Sequence, residues 1–274
     1  MTHSIRRAGV VVSLLMVAAA LLAMGAPASS GQANPYKLRS PGTLVVGMNL
    51  QYPPQMYLKK GKPAGYDVEL LKVLAKEMKV KLKIQNLDFN GLIPGLVAKK
   101  FDMVSVGLVA TPERKKVVSF TRPYVPYAQV LAARRNDTTP ARISAWNDPS
   151  KTITSLQGST AEQLVQRTFP KAQSKSFPDQ NAAFLEVATG RADGIVVETY
   201  LVAQFNKSNG NRLKVVPFPR PLSVQYGSWA VQKGNTALIR YLNRFLCKVQ
   251  KSGLMGRIYQ RTVGTELPPM PRCR

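Results

Sequence analysis

The sequence predicts an α/β fold divided into two lobes, and three observations predict it. Two blocks of alternating strand and helix patterns occupy residues 43–106 and 152–216, and such alternation implies largely parallel sheets carrying helices on their faces. A further strand pattern and two long helical patterns follow the second block, as though completing the first. Once an export segment is set aside, 246 residues remain, enough for two lobes with cores of their own.

The first block opens with Thr43-Leu-Val-Val-Gly-Met48, a short apolar run ended by Asn49 and by Tyr52-Pro53-Pro54. It reads as a buried strand stopping in a loop. Leu70, Leu71, Leu74, Ala75 and Met78 then recur at helical spacing, with Asp67 placed as the N-cap. Residues 80–84 alternate as a strand, 92–100 are helical and 101–106 are apolar again. In parallel sheets ligands sit beyond the carboxyl ends of the strands, so residues 49–52 and 107–111 should share one rim. The second block reads as strand 152–156, loop Gln157-Gly158-Ser159-Thr160, helices 161–168 and 180–189, and strand 194–197. Strand 227–231 and helices 236–251 and 254–261 finish the chain. Residues 29–41, rich in Ser, Gly, Asn and Pro, are expected to be a loose leader, with folded structure starting near Thr43.

At the N-terminus, Arg6-Arg7 precedes an uncharged apolar run at 10–22 and the small-x-small site Ala26-Pro27-Ala28. This is the pattern of a cleaved signal peptide over 1–28, and the run is shorter than the roughly 20 residues of a spanning helix. The first cysteine is Cys247, so no cysteine stands at the cleavage site to carry a lipid. In an exported chain the two cysteines, Cys247 and Cys273, read as one disulfide pinning the tail to the helix that carries Cys247.

Charge and composition exclude several function classes. The chain has 39 Lys and Arg against 14 Asp and Glu, a net charge of +25, of which removal of 1–28 takes two. The only histidine, His3, leaves with that segment, which argues against His-dependent nucleophilic triads and zinc sites. The basic residues are scattered, without a long block interleaved with aromatics, so nucleic acid is not the expected partner. The surface should draw anions from a distance without defining what binds in a cleft.

Seven motifs occur in order: Gly65-Tyr-Asp-Val-Glu69, Asp88-Phe-Asn-Gly-Leu-Ile-Pro94, Lys100-Phe-Asp102, Thr111-Pro-Glu-Arg114, Phe120-Thr-Arg-Pro-Tyr124, Gln157-Gly-Ser-Thr160 and Gly190-Arg-Ala-Asp193. Together, over about residues 43–262, they resemble the polar amino-acid-binding family of bacterial periplasmic solute-binding proteins, family three, with the type II fold. The resemblance implies a first lobe interrupted by the second. Lobe 1 would comprise 29–127 and 226–274, and lobe 2 would comprise 128–225. A two-stranded hinge is implied near 126–129 and 220–225, about which the lobes close over ligand.

It also implies roles for individual residues. Arg114 would bind the ligand carboxylate, which suits a guanidinium with two parallel donors. Thr160, with Ser159 before it, would present a hydroxyl and helix N-terminal N–H groups to the same anion, with a plain helix cap as the alternative role for Thr160. Tyr52 and Phe89 would wall the ligand side chain, Glu198 would pair with its ammonium, and Gly107 and Asn49 would lie on the rim. Three departures stand out. Val109 replaces a commonly found Ser, removing a hydroxyl donor; the neutral Asn49 weakens the case for cationic ligands; Gln55 should make the entrance more polar. Asp193 belongs to a structural motif and not to the site.

The expected function is therefore a periplasmic binding component of an ABC uptake transporter, a monomer without cofactor or metal. It would capture an amino-acid-like ligand for an inner-membrane permease. The alternative is an exported cyclohexadienyl dehydratase on the same fold, with Glu198 as general acid.

Overall fold

A computed structural model describes residues 34–273; the expected signal peptide and the first residues of the expected leader lie outside them. In chain order the strands are β1 (Thr43–Met48), β2 (Gln51–Tyr52), β3 (Met56–Lys59), β4 (Lys62–Ala64), β5 (Lys81–Asn86), β6 (Met103–Val109), β7 (Val118–Arg134), β8 (Thr152–Leu156), β9 (Gln173–Phe177), β10 (Gly194–Glu198), β11 (Leu213–Val215) and β12 (Ser223–Gln232). The helices are α1 (Tyr66–Met78), α2 (Leu92–Val97), α3 (Pro112–Val117), α4 (Ile143–Trp146), α5 (Thr160–Thr168), α6 (Gln180–Ala188), α7 (Thr199–Ser208), α8 (Thr236–Lys251) and α9 (Leu254–Val263). A 3-10 turn, Phe89–Gly91, precedes α2.

Each lobe is built on a parallel group. In the first, β5 and β6 flank β1 in parallel; in the second, β9 and β10 flank β8 in parallel. The two groups are joined by β7 and β12, which run antiparallel to each other from Gln129 opposite Ser223 to Val118 opposite Gln232. β12 lies against β6 and β7 against β10, both antiparallel. The parallel expectation thus holds within each lobe, and the connecting pair is antiparallel.

The same clamp closes each parallel group. Asp102 accepts from the backbone N–H of Val45 at 2.7 Å while its own N–H donates to the Val45 carbonyl. Asp193 does the same with Thr152, accepting at 2.8 Å. Asp193 is structural, as its motif implied. In α8 the buried residues Leu238, Leu242, Phe245, Leu246 and Val249 form one apolar stripe, each burial contributing about 1.5–3 kcal/mol. Trp229 and Phe245 stack in the first lobe, and Trp146 and Phe169 are buried in the second.

Two sequence expectations are corrected, and a third is met. Chain packing begins before Thr43: the Asn34 side chain brackets Leu38, and the Arg39 N–H donates to Asp102. Leu38 is buried and Tyr36 meets Tyr241 with ring centroids 4.7 Å apart, so apolar burial holds a segment whose composition suggested a loose leader. Asp67 does not cap α1. Gly65 occupies that position with φ of 109°, a conformation that favours glycine, and Asp67 turns inward. Cys247 and Cys273 form the expected disulfide, and the Pro271 carbonyl behind it accepts from Arg122 at 2.8 Å.

Candidate functional site

A cavity of about 30 Å³ lies between the lobes. By the same measure one water needs at least ~10–15 Å³, so this closed cleft admits a larger molecule only when its walls part. The carboxyl end of β6, the β2 strand and the 3-10 turn supply one wall; the N-termini of α5 and α6 and the end of β10 supply the other. Three contacts hold the walls together. Arg114 donates to the Gly158 carbonyl at 2.9 Å, Asn90 to the Gln157 side chain at 3.1 Å, and the Gln180 N–H to the Gln51 side chain at 2.8 Å.

Arg114 sits in the first turn of α3, where Thr111 caps the helix and Pro112 pre-sets its first residue. Its guanidinium is buried, donates to the Val109 carbonyl at 3.0 Å and to Gly158, and lies 5.7 Å over the Phe89 ring. Those carbonyls occupy two of five donors, leaving N–H groups for an anion. Burial pushes the guanidinium pKa down, yet an arginine stays charged at neutral pH. Val109 thus contributes its carbonyl to the positioning of Arg114, and its apolar side chain lines the cavity.

Across the cleft, Ser159 is the N-cap of α5, accepting from the Glu162 N–H at 3.2 Å. Thr160 is the first helical residue, so the plain-cap alternative for Thr160 is replaced by another role. Its hydroxyl donates to Gln225 at 2.7 Å and accepts from Gln129 at 3.2 Å, and Gln129 also donates to Glu198 at 3.3 Å. A polar chain therefore runs from β12 through α5 and β7 to β10. Thr160 and Ala161, in the first turn of α5 where backbone N–H groups have no partner inside the helix, line the cavity. Burial raises the Glu198 pKa above the ordinary glutamate value, partly offset by backbone and Gln129 hydrogen bonds.

Tyr52 and Tyr127 stand in the fields of both charged residues. Burial first, and then the Glu198 carboxylate, pushes each phenol up, while Arg114 pulls each down. Tyr200 lines the Glu198 side. Gly107 has φ of 60°, and a Cβ there would lie 2.6 Å from the Tyr127 hydroxyl, so only glycine leaves room. Its N–H donates to the Tyr124 hydroxyl at 2.7 Å.

Beneath this rim lies a buried carboxyl. Asp67 accepts from Ser105 at 2.6 Å, from Gln55 at 2.6 Å and from Tyr124. Burial outweighs these donors and raises its pKa to about 6. Gln55 is buried against Asp67 and does not polarise the entrance, because its amide finds a better partner inside. Asn49 is corrected too. It does not line the cavity, and its amide donates to the Leu87 carbonyl at 2.8 Å, tying the end of β1 to the loop that carries Phe89.

The cavity brings together Tyr52, Phe89, Gly107, Val109, Arg114, Ser159, Thr160 and Glu198. Sequence reasoning missed Tyr127, Tyr200 and Gln180 as lining residues and Gln129 and Gln225 as supports. The positions of Tyr127, Gln129 and Gln225 in the implied hinge were the signal available. Among the described residues no cluster of three or more His, Cys, Asp or Glu could hold a metal ion, and no helix is long and apolar enough to cross a membrane.

A family profile described as bacterial extracellular solute-binding proteins, family 3, matches residues 44–265. The ABC transporter arginine-binding protein 1 of Escherichia coli K12 is 31% identical over 217 residues, 77% of this chain and 87% of that protein. The probable amino-acid-binding protein YxeM of Bacillus subtilis is 30% identical over 251 residues, 90% of this chain and 93% of that protein. Among solved structures, an ancestral amino-acid-binding protein described as a precursor of cyclohexadienyl dehydratase superposes with a TM-score of 0.74 at 33% identity, covering 81% of this chain and 95% of that one.

Proposed function

The chain belongs to the bacterial extracellular solute-binding proteins, family 3, and from that premise we propose that it is the substrate-binding component of an ABC uptake transporter, taking an amino acid or related small carboxylate between its lobes. The observation that carries the reading is the pairing of one cation, Arg114, with one anion, Glu198, in a single cavity walled by Tyr52, Phe89 and Tyr127. A zwitterion complements that pair. Arg114 and the N-terminus of α5 hold the carboxylate, Glu198 holds the ammonium, and the aromatic rings cover the side chain. Gly107 and Ser159 shape the floor, Thr160 is held in place by its glutamines, and Asn49 acts through the Phe89 loop.

In this reading residues 29–127 with 226–274 move against residues 128–225, about the paired strands near Gln129 and Ser223. Ligand holds them closed because it touches both walls and so favours the closed state. The closed surface then meets an inner-membrane permease. The protein works as a periplasmic monomer, without nucleic acid, after removal of residues 1–28 and without a lipid anchor. The matched relatives are named as binding proteins, so the dehydratase alternative gains nothing from them. Titration calorimetry against a panel of amino acids tests the reading, with binding of at least one expected; no heat with any amino acid or related acid would sink it.

A further inference from the structure

Resting on that reading, we infer that the cleft selects an amino acid whose side chain is uncharged and carries a hydrogen-bond acceptor, and that Gln180 is the residue that reads it. The cavity lining holds one full positive and one full negative charge, Arg114 and Glu198. An α-carboxylate and an α-ammonium occupy both. A third charge on the ligand would be buried without a counter-ion, which is unfavourable enough to exclude it.

Gln180 supplies the positive evidence. It is 3% exposed, its backbone N–H is held by Gln51, and its side-chain Nε2 has no hydrogen-bond partner. A buried amide donor without a partner is costly in a native fold, and Gln180 lines the cavity, where a ligand oxygen can satisfy it. The same side chain lines a neighbouring groove of about 390 Å³. That groove is bordered by Gln51, Asn181, Gln204 and apolar side chains such as Phe184 and Leu201, with no ionisable residue among those lining it. A ligand side chain reaching past Gln180 therefore meets only neutral groups. The net charge, +25 for the full sequence and two lower without residues 1–28, adds a long-range bias against cationic amino acids.

Titration calorimetry of the wild type with glutamine, asparagine, serine, leucine, arginine, lysine, glutamate and aspartate tests the inference. One of the three neutral polar amino acids is expected to bind at least tenfold more tightly than leucine and than every charged one. Gln180→Leu should weaken that ligand at least tenfold. Gln180→Glu preserves shape at the start of α6 and adds a second acid, so the ratio of arginine or lysine affinity to that of the neutral ligand should rise at least tenfold. Binding led by leucine or by a charged amino acid, or ligand affinities unmoved by either substitution, overturns the inference and leaves the binding-protein reading standing. Silence with all eight amino acids removes this inference, and silence across the full panel removes both.

Discussion

The guanidinium of Arg114 donates to the carbonyl oxygen of Gly158 at 2.9 Å, although 44 residues separate them. One side chain thus both faces the cavity and latches the opposite wall, through the residue just before the cap of α5. Capture and closure share a group, because a carboxylate at Arg114 also meets the helix N-terminus that the latch holds in place.

Replacing Arg114 by Lys keeps the charge and removes the planar fork that reaches Val109 and Gly158 together. Affinity for the amino-acid ligand should fall about 10–100-fold, the loss of roughly 1.5–3 kcal/mol that a charge-assisted hydrogen bond carries. Arg114→Ala should fall further. Calorimetry measures the loss, and a near-constant melting temperature for both variants would assign it to the site.

Glu198 gives binding a pH dependence. Its pKa is raised by burial, and only the ionised form attracts an ammonium, so affinity should drop as pH is lowered from about 7 toward the acid range. Glu198→Gln should bind weakly with a flat profile over the same range. An unchanged acid-side slope in the variant would place the titrating group elsewhere.

Asp67 should affect folding with the opposite sign from a salt-bridged carboxylate. Its pKa rises from 3.8 to about 6 in the folded protein, so the folded state holds the proton more tightly than the unfolded one. Stability is then greatest below the lower value and falls as pH rises through the interval, by on the order of 3 kcal/mol at about 1.4 kcal/mol per unit. Asp67→Asn keeps an acceptor for Ser105 and Tyr124 and can donate to a turned Gln55 amide. Urea midpoints at pH 4 and pH 7 should show the variant gaining on the wild type at the higher pH.

Removing the disulfide by Cys247→Ser frees a link between residues 26 apart in sequence, which should cost about 3 kcal/mol of stability. Ligand affinity should stay within about twofold, since the bond lies on α8, outside the cavity lining. Urea unfolding measures the first quantity and titration calorimetry the second.

Periodic patterns made much of the fold legible. α8 spans Thr236–Lys251 as its apolar spacing predicts, and β1 and β8 have the expected limits. β7 did not show itself at full length, because Pro123 and Pro126 interrupt a 17-residue strand and proline argues against an interior strand. The site divides similarly. Arg114, Phe89 and Thr160 were found through motifs, and Tyr52 and Glu198 through the resemblance those motifs carry; the cavity contains them all. Gln129, Gln180 and Gln225 were not, because each matters through partners 31 to 129 residues away that only the pairing of β7 with β12 and the docking of α6 on Gln51 create. Asn49 and Gln55 misled for a related reason: a neutral amide near a rim can turn inward once a carbonyl or carboxylate waits there.

Capture of both ends of a zwitterion is tested most directly by titrating the protein with its best amino acid, then with that amino acid's carboxamide and its N-acetyl derivative. Each derivative should bind at least a hundredfold more weakly than the parent, because one leaves Arg114 and the other Glu198 without its counter-ion. Either derivative binding as tightly as the parent would contradict capture of both ends.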